Sequence, residues 1–130
     1  MASIPTSGSF TYTDAGGALL GSAFDGNLSV GSGLQINVNF AAQTFTGTFN
    51  MTSNSANTAW TYNFSGGMDD AELFTNSVSG NANVSGTNYN LDTAIDATLI
   101  GSSAGGVIGG FKGEAKTDSA IYSNGVFILQ

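Results

Sequence analysis

The chain has no cysteine, no histidine and no arginine among its 130 residues. Without cysteine there is no disulfide framework and no thiol catalysis, and without cysteine and histidine the usual zinc sites are excluded. A nucleophilic serine needs a base to take its proton, and with no histidine only a serine–lysine pair remains for that role. Haem would have to rely on a tyrosine or methionine ligand. We therefore expect a protein that is not an enzyme and carries no cofactor.

Basic charge is also scarce. Lys112 and Lys116 are the only basic side chains, and the formal net charge is −7. A protein that binds nucleic acid neutralises several phosphates with a stripe of basic residues, which two lysines cannot form. Anionic lipid surfaces are disfavoured for the same reason, whereas a basic protein partner would be steered towards this chain. A protein partner therefore remains open, and nucleic acid is excluded.

Proline occurs once and charged residues make up only 8% of the chain, against nineteen glycines and 41% hydrophobic residues. Glycine inside a helix costs about 1 kcal/mol relative to alanine, so this composition favours strands and tight turns. The length suits one compact domain over residues 1–130. The apolar run Ala18–Phe24 is too short for a signal-peptide core or a membrane helix. We expect a domain excised from a longer exported protein.

Alternation of apolar and polar residues is the main structural signal. Every second residue between Leu34 and Phe40 is apolar, which is the period of a strand with one buried and one wet face. Nine segments of this kind are predicted as strands: Ser9–Thr13, Asn27–Val30, Leu34–Phe40, Thr44–Thr52, Ala59–Phe64, Ser77–Val84, Asn88–Ile100, Val107–Ala115 and Ala120–Leu129.

This strand count, with turn signals between the segments, is typical of a closed barrel. We predict an all-β fold, an eight-stranded antiparallel up-and-down β-barrel whose interior is filled by side chains. Glycines inside apolar strands fit a small, crowded interior. Gly47, Gly80, Gly109 and Gly113 stand where alternation places an inward or crowded side chain, and they either relieve crowding or form bulges.

One stretch does not follow the strand pattern. In Met68–Phe74, Asp69 or Asp70 is a suitable cap for a helical turn, and Glu72 is favourable near its N-terminus. We expect a short helix or 3₁₀ turn near residues 69–74. The same three acidic residues are also the alternative candidates for a metal site. Their spacing matches no calcium loop, so a solvated or capping cluster is favoured and no metal is expected.

Two further patterns superficially suggest chemistry. Gly105–Lys112 has the glycines of a phosphate loop, but Phe111 separates the last glycine from the lysine and no Lys-Ser/Thr pair follows. Asp92 and Asp96 share a strand face, but four residues at about 3.3 Å each place their backbones roughly 13 Å apart, beyond the window of about 5–9.5 Å for glycosidase carboxyl pairs. An acid-catalysed glycosidase is therefore the last of the alternatives.

Aromatic side chains are the remaining candidates for a binding surface. Alternating aromatics on strands usually fill a barrel interior, as expected for most of those in this chain. One or two aromatics exposed at a rim would nevertheless suffice to anchor a partner. Our candidate ligand-binding residues are Trp60, Phe74 and Tyr89.

Two motifs resemble those of a known family. Asn37–Phe49, N-V-N-F-A-A-Q-T-F-T-G-T-F, resembles the V-D-F-x-x-x-T-x-x-G-x strand pair in the β-barrel domain of transferrin-binding protein B and related bacterial surface lipoproteins. Gly109–Ala115, followed by Gly125–Phe127, resembles the terminal G-x-F-x-G-x-x-A and G-G-V-F signature of that family. The order of the motifs and the near-terminal position of the second also agree.

The resemblance implies an eight-stranded barrel that binds rather than catalyses, extracellular or on the outer leaflet of the outer membrane of a Gram-negative bacterium. Relatives capture host iron proteins, complement regulators or haem. The chain departs from the family at Lys112, where a tyrosine is common, and at Ala115–Ala120, which replaces an acidic continuation. It also shows no lipidated cysteine and no preceding handle domain. Because partner contacts in the family lie mostly outside the shared motifs, no binding residue is carried over.

Three interpretations follow. The first is a non-catalytic surface or secreted binding module for a host protein or for iron or haem acquisition. The second is a structural or self-associating spacer or adhesion module of a larger cell-surface protein. The third, an integral outer-membrane barrel, needs an outward apolar band with aromatic girdles. The chain lacks obvious girdles, so we expect no membrane insertion, and a monomer is favoured over a defined oligomer.

Overall fold

The computed structural model describes residues 4–130, and the described chain is almost entirely β-structure. Two single 3₁₀ turns, Asp14–Gly16 and Ser102–Ala104, are its only helical elements. The ten strands are β1 Ser9–Thr13, β2 Ala18–Ala23, β3 Gly26–Asn27, β4 Ser29–Asn39, β5 Thr44–Ser53, β6 Thr58–Asp69, β7 Glu72–Val84, β8 Thr87–Ile100, β9 Gly106–Ala115 and β10 Asp118–Leu129.

All ten strands belong to one antiparallel sheet with the order β1-β4-β5-β6-β7-β8-β9-β10-β2-β3. The 3₁₀ turn at Asp14–Gly16 divides the N-terminal segment, so that β1 pairs with β4 at one side of the sheet and β2 pairs with β10 at the other. Within residues 4–130 no ladder joins β1 to β3. Two backbone hydrogen bonds between Thr13 and Gln130, of 3.0 and 3.1 Å, link the two sides at one point.

The expected eight-stranded closed barrel is therefore corrected to a ten-stranded curled sheet that does not close. The missed strand is β2. Its adjacent Leu19 and Leu20 face opposite sides of the sheet, which hides the alternation that identifies a strand. The predicted segment Asn27–Val30 divides between β3 and the start of β4. The all-β class, the antiparallel pairing and a filled interior are confirmed.

The expected helical turn near residues 69–74 is also wrong. Asp69 pairs with Glu72 at the end of a hairpin, and Asp70 occupies the left-handed region with φ of 52°. Aspartate tolerates that conformation better than most residues, so Asp70 and Ala71 form the turn and β6 and β7 extend up to it. The strands also run through Gly66, where a bulge absorbs one extra residue of β7.

The buried face of the sheet carries the alternating apolar residues that the sequence indicates. Leu34, Ile36 and Val38 of β4 are buried, and so are Phe49 of β5 and Tyr62 of β6. The curl of the sheet brings distant strands together across this interior. The ring of Phe49 packs edge to face against Phe127 of β10 at a centroid distance of 4.8 Å. Such aromatic pairs stabilise the fold by about 0.5–1.5 kcal/mol beyond the area they bury.

Glycines provide the room that these rings occupy. A Cβ atom at Gly47 would overlap the ring of Phe64 on the neighbouring strand, and one at Gly113 would overlap the phenol of Tyr62. Gly80 and Gly109 are equally crowded, by Thr93 and by the Asp96 carbonyl oxygen. Of the two alternatives for these four glycines, relief of crowding is the one that the structure supports. Gly80 also borders a register shift between β7 and β8.

Polar groups inside the sheet are paired. The hydroxyl groups of Tyr62 and Ser123 lie 2.6 Å apart. At one end of the sheet, Ser53 and Thr58 donate hydrogen bonds of 2.7 and 2.6 Å to the carboxylate of Asp25, in the turn between β2 and β3. Among the described residues every buried side-chain nitrogen and oxygen has a hydrogen-bond partner. These bonds fix the β2–β3 turn against the hairpin of β5 and β6.

We expect Gly47→Ala to destabilise the protein by about 1–3 kcal/mol, because the added methyl group displaces the Phe64 ring from a filled interior. Gly110→Ala is the matched control. Gly110 lies on the outer face of β9, where a Cβ atom meets nothing closer than 3.4 Å. Urea unfolding of both variants measures the difference, and equal midpoints would contradict this account of Gly47.

Burial raises the pKa of Tyr62 from 10.0 to about 12, although its hydrogen bond with Ser123 lowers it. Because the unfolded chain ionises first, the stability that the neutral buried phenol contributes is complete below pH 10 and falls between pH 10 and 12. The loss approaches about 3 kcal/mol for a shift of this size.

Tyr62→Phe should therefore flatten the decline of unfolding free energy above pH 10, while it lowers stability at neutral pH by removing the bond with Ser123. Denaturant unfolding at a series of pH values measures this. Tyr122→Phe, at an exposed position of β10, is the control and should retain the slope of the original protein. The same slope in both variants would contradict the assignment.

Candidate functional site

A groove crosses the outer face of the sheet over β8, β9, β10 and β2, and we call it the outer groove. Its volume is about 740 Å³. Its lining residues are Leu20, Gly21, Ser22, Asn27, Ala94, Asp96, Gly110, Phe111, Lys112, Asn124, Gly125 and Val126.

Gly110 forms the floor of the outer groove. The ladders place Asp96, Gly110, Val126 and Leu20 in one row, directly opposite one another across four neighbouring strands. Directly opposed residues of antiparallel strands project to the same face. Because Gly110 has no side chain, the row has a depression in its middle, with a carboxylate on one side and two aliphatic side chains on the other.

The aliphatic side of the outer groove is unusually exposed. Leu20 is 77% exposed, Val126 54% and Ile108, in the next row, 47%. Ile108 is opposite Ile128, which in turn is opposite Ala18, so the apolar surface continues beside the groove. Isolated exposed aliphatic residues are ordinary, but a contiguous group on one face indicates an interaction surface.

The other side of the outer groove is charged. Lys112 lies beside Asn124 on β10 and Ala94 on β8, one row from Asp96. Asp92 and Glu114 oppose each other in the following row. The outer face therefore presents an aliphatic area next to an area of mixed charge in which carboxylates outnumber lysines.

The two lysines contribute little to the stability of this face. Lys116 lies 3.9 Å from Asp92, and both side chains are mostly exposed. An exposed pair of this kind stabilises by about 0–1 kcal/mol. Lys112 and Lys116 are thus solvated charges rather than buried ones, and Lys112 is available to a ligand in the outer groove.

The three aromatic residues predicted as ligand-binding do not share one surface. Trp60 is 1% exposed in the interior, where its Nε1 donates a hydrogen bond of 2.9 Å to Ser53. Tyr89 faces the same side, opposite Ala82, and is half-buried. Phe74 faces outward, is 44% exposed and lies over Gly67 of β6. The structure does not bring Trp60 and Phe74 to one site.

The acidic residues proposed as alternative metal ligands lie at the hairpin of β6 and β7. Asp69 and Glu72 end and begin the two strands, and Asp70 lies in the turn between them. Across residues 4–130 the structure contains no group of three or more aspartate, glutamate, histidine or cysteine side chains arranged to hold a metal ion. Asp92 and Asp96 are both exposed on one face of β8, as expected.

Sequence reasoning missed the residues that shape the outer groove. The sequence indicates Leu20 only as part of the apolar run Ala18–Phe24, and Val126 only as part of the strand Ala120–Leu129 and of the motif Gly125–Phe127. A signal for Val126 exists, because Phe127 and Leu129 mark the buried side of β10 and so place Val126 outside. Gly110 has no comparable signal, since its role depends on the neighbours that two other strands supply.

No helix in the described part of the chain is long and apolar enough to cross a membrane.

No protein-family model matches the chain, and no curated protein matches it either. Solved structures of transferrin-binding protein B do resemble it. The double mutant of the vaccine antigen from Haemophilus parasuis Hp5 aligns with a TM-score of 0.57 and 14% identity, and its single mutant with 0.54 and 15%. Intact Ap-TbpB, with N and C lobes, aligns with 0.57 and 15%.

These alignments cover 98% of this chain but only 26–27% of the three neighbours. The chain therefore spans about a quarter of the length of the structures that it resembles. At this level of identity the likeness establishes the fold alone, a β-sheet folded like part of transferrin-binding protein B.

Proposed function

We propose that this chain is a non-catalytic module that binds a protein partner through the outer groove. The observation that carries the proposal is the row of exposed aliphatic side chains, Leu20 and Val126, beside the depression at Gly110. Surface of this kind loses water on contact with a partner, at about 25 cal/mol per Å² of apolar area removed. A partner side chain placed above Gly110 lies beside Val126, and Leu20 is the next residue of the same row, on β2.

The charges of the outer groove support specificity. Lys112 and Asp96 border the aliphatic area and favour a partner that places an acidic and a basic group beside its own apolar contact. Polar groups around an apolar centre are the common arrangement of transient protein interfaces. The net charge of −7 adds a long-range attraction for partners that are basic overall.

The absence of histidine and cysteine and the solvated state of both lysines support a non-catalytic role. A serine nucleophile with a lysine base requires a lysine that has lost its proton, which burial promotes and solvation opposes. Neither lysine of this chain is buried.

Fold likeness supports the class of partner. The similar structures are of a protein named for binding transferrin, and two of them are described as structures of a vaccine antigen. We propose that this chain likewise acts at a bacterial surface or after secretion, as a single domain over residues 1–130, and that a host protein such as transferrin is its partner. Haem is the second ligand to test. Phe74 and Tyr89 remain candidate contacts beyond the outer groove.

Leu20→Asp should weaken binding while it leaves the fold intact, because Leu20 is 77% exposed and a carboxylate there opposes an apolar contact. We expect the affinity to fall at least about tenfold, since burying a leucine side chain contributes about 1.5–3 kcal/mol. Biolayer interferometry with apo-transferrin, iron-loaded transferrin and haem as probes measures this, followed by capture from whole serum with identification by mass spectrometry.

A second variant tests the shape of the site. Gly110→Val fills the depression with a residue that favours strands, so binding should weaken while the unfolding midpoint is kept. Phe74→Asp is the matched control on another exposed apolar residue. Loss of binding in Phe74→Asp alone would move the site to β7. If nothing in the probe set or serum binds, while the protein hydrolyses a substrate in an activity screen, the binding proposal fails.

The exposed aliphatic row also favours a second function, a self-associating structural module of a larger surface protein. Two copies would cover Leu20 and Val126 against each other, although a charge of −7 on each copy opposes this. Light scattering after size-exclusion chromatography separates the two functions. Assembly that rises with concentration and disappears in Leu20→Asp supports the structural module, whereas a monomer at all concentrations supports the binding module.

A further inference from the structure

The edge of β1 that faces away from β4 has a defined hydrogen-bonding pattern. The amide and carbonyl of Thr13 both bond to Gln130, so they point away from β4. In an extended strand the backbone groups of alternate residues point to the same edge. Ser9 and Thr11 therefore direct their amides and carbonyls to the edge that Thr13 uses. The bond from the Phe40 amide to the Gly8 carbonyl confirms this phase, because it shows that even-numbered residues face β4.

In the described part of the chain no strand pairs with this edge beyond the Thr13–Gln130 bonds. Within residues 4–130, Ser9 and Thr11 make no backbone hydrogen bond across it. The amides and carbonyls of Ser9 and Thr11 therefore face the position in line with β10 and have no partner in the described chain. An unpaired strand edge is a template for an added strand.

A second observation points to the same place. Phe10 lies on the inner side of the sheet, opposite Val38, and its ring packs against that of Tyr12 at a centroid distance of 4.7 Å. Val38 and Tyr12 are completely buried, yet Phe10 is 48% exposed. The inward ring of Phe10 is exposed because no strand formed by residues 4–130 lies beside it on this edge.

A cleft of about 210 Å³ lies along this edge, between β1 and the loop after β8. Its lining residues are Pro5, Ser7, Gly8, Ser9, Phe10, Tyr12, Phe40, Ser103, Ala104 and Gly105. None of them is charged, in contrast to the outer groove. The cleft therefore suits an uncharged ligand with apolar side chains on its inner face.

We propose that an extended, uncharged segment of a partner polypeptide adds to the sheet as a strand beside β1. It runs antiparallel to β1, in line with β10, and exchanges backbone hydrogen bonds with Thr11 and Ser9. The residue opposite Phe10 is apolar and covers that ring, and the residues on either side of it are polar and face outward. The site is separate from the outer groove and does not depend on its function.

A single extended segment fits better than a second copy of this chain. In a second copy β1 already pairs with β4, so its free edge would bring a whole curled sheet to a cleft that the loop at Ser103–Gly105 borders. One strand occupies only about 4.8 Å across the sheet.

The probe is an octapeptide of alternating valine and threonine with a lysine at each end for solubility. Hydrogen exchange followed by NMR should show fast exchange at Ser9 and Thr11 and slow exchange at Phe10 and Tyr12 in the free protein. Addition of the peptide should slow exchange at Ser9 and Thr11 selectively. The same peptide with proline in place of the two central residues, which cannot pair, should have no effect.

Thr11→Pro removes the amide on the free edge and leaves the bonds to β4, which Phe10 and Tyr12 make, in place. We expect the fold to persist and the peptide affinity to fall about tenfold. Thr11→Val is the matched control, because it loses the same side-chain bond to Asn37 but keeps the amide. Ser9→Pro replaces Thr11→Pro if that variant does not fold.

Three results would overturn the proposal. One is slow exchange at Ser9 and Thr11 in the free protein, which shows that the edge is already paired. Another is equal peptide affinity in Thr11→Pro and Thr11→Val. The last is protection by the peptide along the outer groove and not along β1, which assigns strand-like ligands to the other surface.

Discussion

The structure depends on the packing of large aromatic rings against glycines within its strands. Phe64 occupies the space that a side chain at Gly47 would need, and Tyr62 does the same at Gly113. Each ring fits into the interior only because the residue that it covers is a glycine. The curl of the sheet also brings β5 to β9 and β10, where the ring of Phe49 packs against the rings of Phe111 and Phe127.

Glycine also shapes the outer face of the sheet. On the inner face the rings of Phe64 and Tyr62 cover Gly47 and Gly113, but on the outer face a Cβ atom at Gly110 would meet nothing closer than 3.4 Å. Glycine thus permits close packing in the interior and leaves a depression on the outer surface. Because strand neighbours set the depth of this depression, the outer groove is a property of the assembled sheet, built by β8, β9, β10 and β2 together.

Sequence alone predicts the parts of this fold that local alternation encodes. β1 and the long strands from β4 to β10 follow from period-two patterns, and the crowded glycines follow from their places in those patterns. The patterns do not reveal elements in which the alternation of apolar and polar residues is interrupted. Adjacent Leu19 and Leu20 in β2 show no alternation, and Asp69 and Asp70 have the composition of a helix cap but form a hairpin turn. The candidate sites are even harder to predict from the sequence, because the roles of Gly110 and Phe10 depend on residues far away in the chain.

The two faces of the sheet differ in how their openings arise. The outer groove results from the lack of a side chain at Gly110 within a complete ladder, whereas the cleft at β1 lies along an edge that no strand of residues 4–130 covers. The first offers side-chain contacts and charge, and the second offers backbone hydrogen bonds. The 3₁₀ turn at Asp14–Gly16 is the origin of the second, because it transfers the chain from one side of the sheet to the other after only five residues of β1.

The scarcity of basic residues has a consequence for the lifetime of the protein. Proteases of the trypsin type cut after lysine or arginine, and this chain offers them two such bonds. Lys112 lies within β9, which is paired on both sides, so the backbone there cannot enter a protease cleft without unfolding. Lys116 lies in the turn between β9 and β10, where its amide bonds to the Asn90 carbonyl. The folded molecule therefore exposes a single turn to an entire class of digestive enzymes.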